Sequence, residues 1–351
     1  MKNNSLVRFF IILTLFFSVH SIALPQMSPY QGLVIAQEQN STEDKLREEA
    51  LQQVLVKVSG NADINKLASS KTLAKKIPDM LSQFGYKNID NKRFYFALFE
   101  KKSINDALIA MQQPIWDEMR PSPLIWLVNE NRQLTSENMV DSSEDDAISE
   151  GLNKSQIERG ITGQFPLIDL DDLLVVSVSD VSGRFYQAVA EASKRYDAEY
   201  FVLANLKSAD AGQWQLKWEL VQFNARTQKN KVLIKQTSNG GKAEVMSSML
   251  GDITDYYAKQ FAVLENNGAR SVQLLNINNI NSLSKLMELK NVLNKVNSID
   301  SFEVVSLDDK KLEVLVTLKG SLTNLKNALN AQSKLQRDLI TSDPFYYNWQ
   351  P

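Results

Sequence analysis

The sequence contains no cysteine, and its one histidine is His20. That histidine falls inside an N-terminal segment that reads as a leader, so the working chain is expected to carry neither residue. Cysteine nucleophiles, Cys–His pairs and Ser-His-Asp arrangements are thereby excluded, as are His- or Cys-ligated zinc, copper, haem and iron–sulfur sites. A lipid anchor on cysteine is excluded for the same reason. Without disulfides, stability outside the cell's reducing interior has to come from hydrophobic cores alone. Proline and glycine are also sparse, at 9 and 13 of 351 residues, which removes collagen-like and low-complexity readings. Carboxylate, Ser–Lys and Tyr chemistry and oxygen-ligated Ca²⁺ or Mg²⁺ remain open. No motif selects one of them, so neither a cofactor nor a catalytic residue is expected.

What is present begins with the leader. Lys2 and Arg8 precede the apolar run of residues 9–17, and Ser21 and Ala23 are small residues at the positions a signal peptidase reads. The apolar stretch is shorter than the ~20 residues that span a bilayer. Cleavage after Ala23 and export to the periplasm are expected, with an uncleaved inner-membrane anchor as the alternative. No later segment is apolar enough to cross a membrane. Loss of Lys2 and Arg8 leaves 37 Lys and Arg against 41 Asp and Glu, a formal charge of −4. Such a chain lacks the basic surface that nucleic acid requires.

The remaining chain divides into three α/β modules with mixed sheets, over residues 24–120, 121–264 and 269–351. In the first, a strand over 30–36 precedes a helix capped at Ser41–Thr42 and stopped at Gly60, with Leu46, Ala50, Leu51, Val54, Leu55 and Val58 at helical spacing. A second helix is expected over 64–83, interrupted near Pro78, then a strand over 93–99 and a helix over 103–111. The second module opens with Pro121 and Pro123 and the apolar strand 124–128. A helix over 144–159 follows, then one carrying Val181, Phe185, Val189 and Tyr196 on one face. Strands 200–206, 214–221 and 232–236 come next, with Trp214, Leu216, Trp218 and Leu220 alternating as on a half-buried strand. Gly240 and Gly241 read as a hinge before a helix over 243–264, and residues 265–268 as a linker. The third module has the order βαββαβ, a ferredoxin-like sandwich. Leu283, Leu286, Met287, Leu293 and Val296 form the expected inner face of its first helix.

Four groups of residues invite a functional reading. Asp169, Asp171 and Asp172 are the densest carboxylate cluster; they suit either a divalent cation or, more simply, the capping of backbone amides. Trp116, Arg120 and Trp126 flank the proline-rich connector, where an arginine between indoles either holds a ligand or locks two modules together. Ser193 and Lys194 are neighbours on a helix and cannot face each other as a catalytic pair. Phe345, Tyr347 and Trp349 share one side of an extended tail. That tail is either the edge strand closing the last module or an exposed strand that docks on a partner.

Several of these stretches resemble an exported proteobacterial family catalogued as domain of unknown function 2066. They are residues 49–60, Pro114 to Trp116 with Arg120 and Pro121, residues 125–128, residues 165–172, and Asp180 with Val181. Residues 196–204 with the strands after them are similar to modules of TolB-type N-terminal domains and curli-secretion lipoproteins. The resemblance implies a protein-binding scaffold with no activity to carry over. The expectation is a non-catalytic periplasmic binding or scaffold protein of the cell envelope, with envelope proteins as partners. A carboxylate enzyme centred on Asp169–Asp172 and an N-terminally anchored adaptor are the alternatives.

Overall fold

The computed structural model describes residues 27–36, 42–89, 92–116, 120–130, 139, 145–224, 229–264, 271–308, 311–330, 332, 334–338 and 340–350. The expected leader (1–23), the linker (265–268) and Pro351 lie outside the described residues. Within them the fold is mixed α/β, with three separate sheets.

The first sheet belongs to β1 (Gln31–Ile35), α1 (Glu43–Ser59), α2 (Ala68–Thr72), α3 (Ile77–Met80), β2 (Leu81–Ile89), β3 (Lys92–Phe99) and α4 (Lys101–Ala110). Thr42 caps α1 by accepting from the Lys45 N–H, and Gly60 ends it in the left-handed region at φ 69°. The strands pair antiparallel in the order β1-β3-β2. Here the expected helix over 64–83 is overturned: it breaks into short turns that end at Met80, and residues 81–89 are a strand. The reason is cross-strand pairing. Phe84 and Tyr86, two residues apart, sit opposite Ala97 and Tyr95 of the aromatic β3, a partner no local window contains.

The central sheet holds β4 (Leu124–Asn129), α5 (Asp146–Arg159), α6 (Leu170–Val175), α7 (Val178–Ser182), α8 (Tyr186–Ser193), β5 (Tyr200–Ser208), β6 (Trp214–Asn224), β7 (Lys229–Gly240) and α9 (Lys242–Phe261). Its order is β4-β5-β6-β7, with β4 parallel to β5 and the rest antiparallel. Both faces are covered. Ile125, Leu127, Val202, Leu216 and Trp218 pack under α5 and α9, while Leu124, Trp126, Phe201, Leu203 and Val221 pack under α7 and α8. The half-buried reading of β6 holds over residues 216–218, where Lys217 is exposed, and gives way from Glu219 onward, where both faces of a three-layer sandwich are buried. The single helix expected through Val181 and Tyr196 is split as well. Arg184 adopts φ 63° between α7 and α8, which leaves Phe185 61% exposed. Gly240 and Gly241 form a tight strand-to-helix junction rather than a hinge, with Glu244 accepting from the Gly241 N–H.

The last sheet comprises β8 (Val272–Asn278), α10 (Leu283–Lys295), β9 (Ile299–Asp308), β10 (Lys311–Leu318), α11 (Leu322–Asn330), β11 (Leu335–Arg337) and β12 (Tyr346–Trp349), in the order β11-β12-β8-β10-β9. The βαββα order is as expected, and the C-terminal strand lies beside the first. Phe345, Tyr347 and Trp349 are buried in the core of this sheet. They do not form an edge: β12 runs parallel to β8, and β11 pairs with its other side. The chain turns back on itself after α11, so the final strand enters the sheet in the reverse direction. On α10, Leu289 and Leu293 face inward, whereas Leu283 and Met287 are exposed.

Candidate functional site

The three sheets meet around the connector that follows α4. Ile115 and Val263 exchange backbone hydrogen bonds at 2.8 and 2.9 Å, tying the connector to the segment after α9. The Trp116 N–H donates to the Val58 carbonyl at 2.6 Å, and the Asn297 side-chain amide donates to the Ile115 carbonyl at 2.9 Å. Arg120 is the hub. One guanidinium nitrogen donates to the carbonyls of Lys57 and Trp116, each at 2.7 Å; the other reaches those of Arg159 and Gly160 at 3.3 and 3.4 Å. Its plane covers the Trp116 indole, 4.2 Å from the ring centre. A planar fork with several donors can bridge four carbonyls from different segments in this way.

Beside this hub lies a cleft of about 430 Å³, within the range of small-molecule sites. Elements of the first junction (Trp116, Arg120), of the central sheet (Glu199, Tyr200) and of the last unit (Asn297, Ser298) line it together. Two of these lining side chains are buried with polar atoms unpartnered: Trp116 Nε1 and Ser298 Oγ. Buried polar atoms are normally hydrogen-bonded, and here two without a partner belong to residues of one cleft. The Glu199 carboxyl is pushed above the usual carboxylate range by burial, with the Gln222 amide opposing that shift.

Of the residues singled out in the sequence, Trp116 and Arg120 are brought together here, and Trp126 is not. Strand parity sends Trp126 to the opposite face of the central sheet, where its Nε1 donates to the Ser193 hydroxyl at 3.0 Å. Phe345 and Trp349 are core residues of the last sheet.

The aspartates are elsewhere and occupied. Asp169 caps α6 through the Asp172 N–H at 3.2 Å and takes two hydrogen bonds from Arg195 at 2.5 and 2.6 Å. Arg195, above all, holds the Asp169 carboxyl down at about 2. Asp172 is buried and accepts from the Tyr196 hydroxyl at 2.5 Å and the Ile168 N–H at 3.0 Å. Asp171 projects to solvent. Among the described residues no group of three His, Cys, Asp or Glu is arranged to hold a metal ion. The cluster thus combines capping of backbone amides with pairing to Arg195.

Sequence reasoning missed two features. Lys57, inside an apolar helical run, is 1% exposed and donates to the Gln31 carbonyl. Glu219, on β6, is 2% exposed and meets the Tyr186 hydroxyl at 2.6 Å, Lys235 at 3.0 Å and Arg184 at 3.7 Å. A charged residue in an apolar or alternating run was the available signal for both. Their partners are distant in sequence.

Residues 27–117 match the model of a domain of unknown function (DUF8605), about a quarter of the chain. No curated protein matches. The expected chain-wide likeness to domain of unknown function 2066 is thus overturned, because the matching model is a different one and stops at residue 117. The likeness to TolB-type and curli-secretion modules gains no support either. The structure explains why those stretches misled. Residues 49–60 are a buried helix ended by a left-handed glycine, 125–128 a strand buried on both faces, and 165–172 the approach to an aspartate-capped helix. Unrelated chains arrive at such patterns because the same physics demands them.

Proposed function

We propose that this chain is an exported, non-catalytic binding protein of the cell envelope, of three modules after a leader over residues 1–23, and that the junction cleft is its recognition site. The observation that carries this reading is the cleft itself. It is built jointly by three units, held in shape by Arg120, and left with two buried polar atoms unsatisfied. The tied-down aspartates favour it over a carboxylate enzyme, since Arg195 and backbone amides occupy the oxygens that chemistry would need. Among the described residues no helix is long and apolar enough to cross a membrane.

The test combines location with contact. Intact mass of protein from the periplasmic fraction should show a chain beginning at Leu24. A photo-crosslinking residue placed at Gln164 on the cleft rim should give a discrete adduct in cells that the same residue at Lys71, on a distant helix face, does not. Full-length protein in the cytoplasm, or identical adducts from both positions, refutes the proposal.

A further inference from the structure

The charged side chains lining the cleft are Arg120, Asp197 and Glu199. Arg120 is committed to four carbonyl oxygens and to the face of Trp116. The two carboxylates have no such complement: among the described residues no cation pairs with Asp197, and the side-chain partner of Glu199 is the neutral Gln222 amide at 2.6 Å. Glu199 is thus partly buried against an amide alone, at some cost to its ionised form. Apolar surface adjoins the carboxylates, from Tyr200, Phe261 and Val263. The buried Ser298 hydroxyl, in the same cleft, has no partner.

On the reading of this cleft as a recognition site, we propose that it takes a primary alkylammonium group, carried either by a free aliphatic diamine or by a lysine side chain of a peptide. The ammonium supplies the positive charge that Asp197 and Glu199 lack, through charge-assisted hydrogen bonds. Its methylene stem covers Phe261, Tyr200 and Val263, as amphipathic stems do on apolar surface. With three donors and no acceptor, the ammonium also suits Ser298 Oγ as an additional acceptor. A carboxylate or phosphate ligand meets two like charges in the same space.

Titration calorimetry of the mature chain with cadaverine, N-acetyl-lysine amide and uncharged N-acetyl-norleucine amide tests this. At least one amine should bind saturably with 1:1 stoichiometry, and the norleucine compound should not. Tighter cadaverine binding identifies a free diamine, and tighter lysine-amide binding a peptide side chain. Glu199→Gln, which removes an unfavourably placed charge and keeps the shape, should weaken binding at least tenfold. Asp197→Asn should weaken it severalfold, and Asp171→Asn, remote and exposed, not at all. Affinity should also fall as the pH is lowered through the Glu199 titration. No saturable amine binding, or binding indifferent to both cleft variants, overturns the inference. Equal binding of the norleucine compound overturns it too, while leaving the cleft a recognition site; the crosslinking experiment judges that reading separately.

Discussion

Lys57 offers the sharpest test of how the junction is held. It sits on α1 at 1% exposure and donates to the Gln31 carbonyl; the cation that acts on it is Arg120, which bonds the carbonyl of Lys57 itself. Burial first, and Arg120 second, lower its ammonium to about 7 from the ordinary 10.5. The consequence for stability has a definite sign. Above 10.5 the amine is neutral in both states and contributes nothing. Between the two values the unfolded chain holds a proton that the folded one has released, so stability rises with pH. Below about 7 both states are protonated and the whole penalty applies. Lowering from 10.5 to about 7 corresponds to about 5 kcal/mol, at 1.36 kcal/mol for each tenfold change in proton affinity. Lys57→Met keeps the stem and removes the charge, but strands the Gln31 carbonyl at a cost of about 1–3 kcal/mol. The variant should therefore be more stable than wild type by about 2–4 kcal/mol at pH 6. It should be less stable by about 1–3 kcal/mol above pH 10.5, with the curves crossing between. Urea melts of both proteins across this range read the difference directly. A variant destabilised equally at every pH refutes the reasoning, because Lys57 would then be as well solvated or paired in the fold as in the unfolded chain.

Two further substitutions probe the same architecture. Gly60→Ala places a side chain at φ 69° and drives its methyl into Ala258 of α9. Left-handed strain of about 1–2 kcal/mol and overpacking of about 1–3 kcal/mol should both register in a urea melt, and a loss under 0.5 kcal/mol would mean that α1 and α9 move apart freely. Phe345→Ala should cost about 3–5 kcal/mol, since this ring is 7% exposed in the last core; denaturation curves that overlay wild type would show that the tail is not core.

Much of the fold was legible because it rests on local signals. Thr42 and Gly60 bracket α1 through one side-chain oxygen and one left-handed residue, both visible in the sequence. The alternation of Trp214, Leu216, Trp218 and Leu220 did identify β6, and the aromatics at 345, 347 and 349 did share a buried face. The failures arose where a partner far along the chain decided. Helical spacing through Leu73 and Ile77 continues plausibly to Leu81, yet β3 recruits residues 81–89 as a strand. The direction of β12 depends on the return after β11, which no periodicity encodes.

The candidate site follows the same division. Trp116 and Arg120 are four apart, so their stacking was within reach of a local argument, and Trp126 was grouped with them only by proximity in sequence. Strand parity then separates it: Ile125 and Leu127 face α5 and α9, so Trp126 faces away from them. The carbonyls that fix Arg120 lie at Lys57 and Arg159, 63 and 39 positions away. Glu199 reaches the cleft from just before β5 and Ser298 from just before β9. Each of these residues is unremarkable in its own window, a glutamate before a strand or a serine after a helix. Their chemistry exists only where three sheets converge. A cleft of this kind is invisible to motif reasoning for a physical reason: its lining groups are selected by the packing of three sheets, and the spacing between them in the chain carries no constraint.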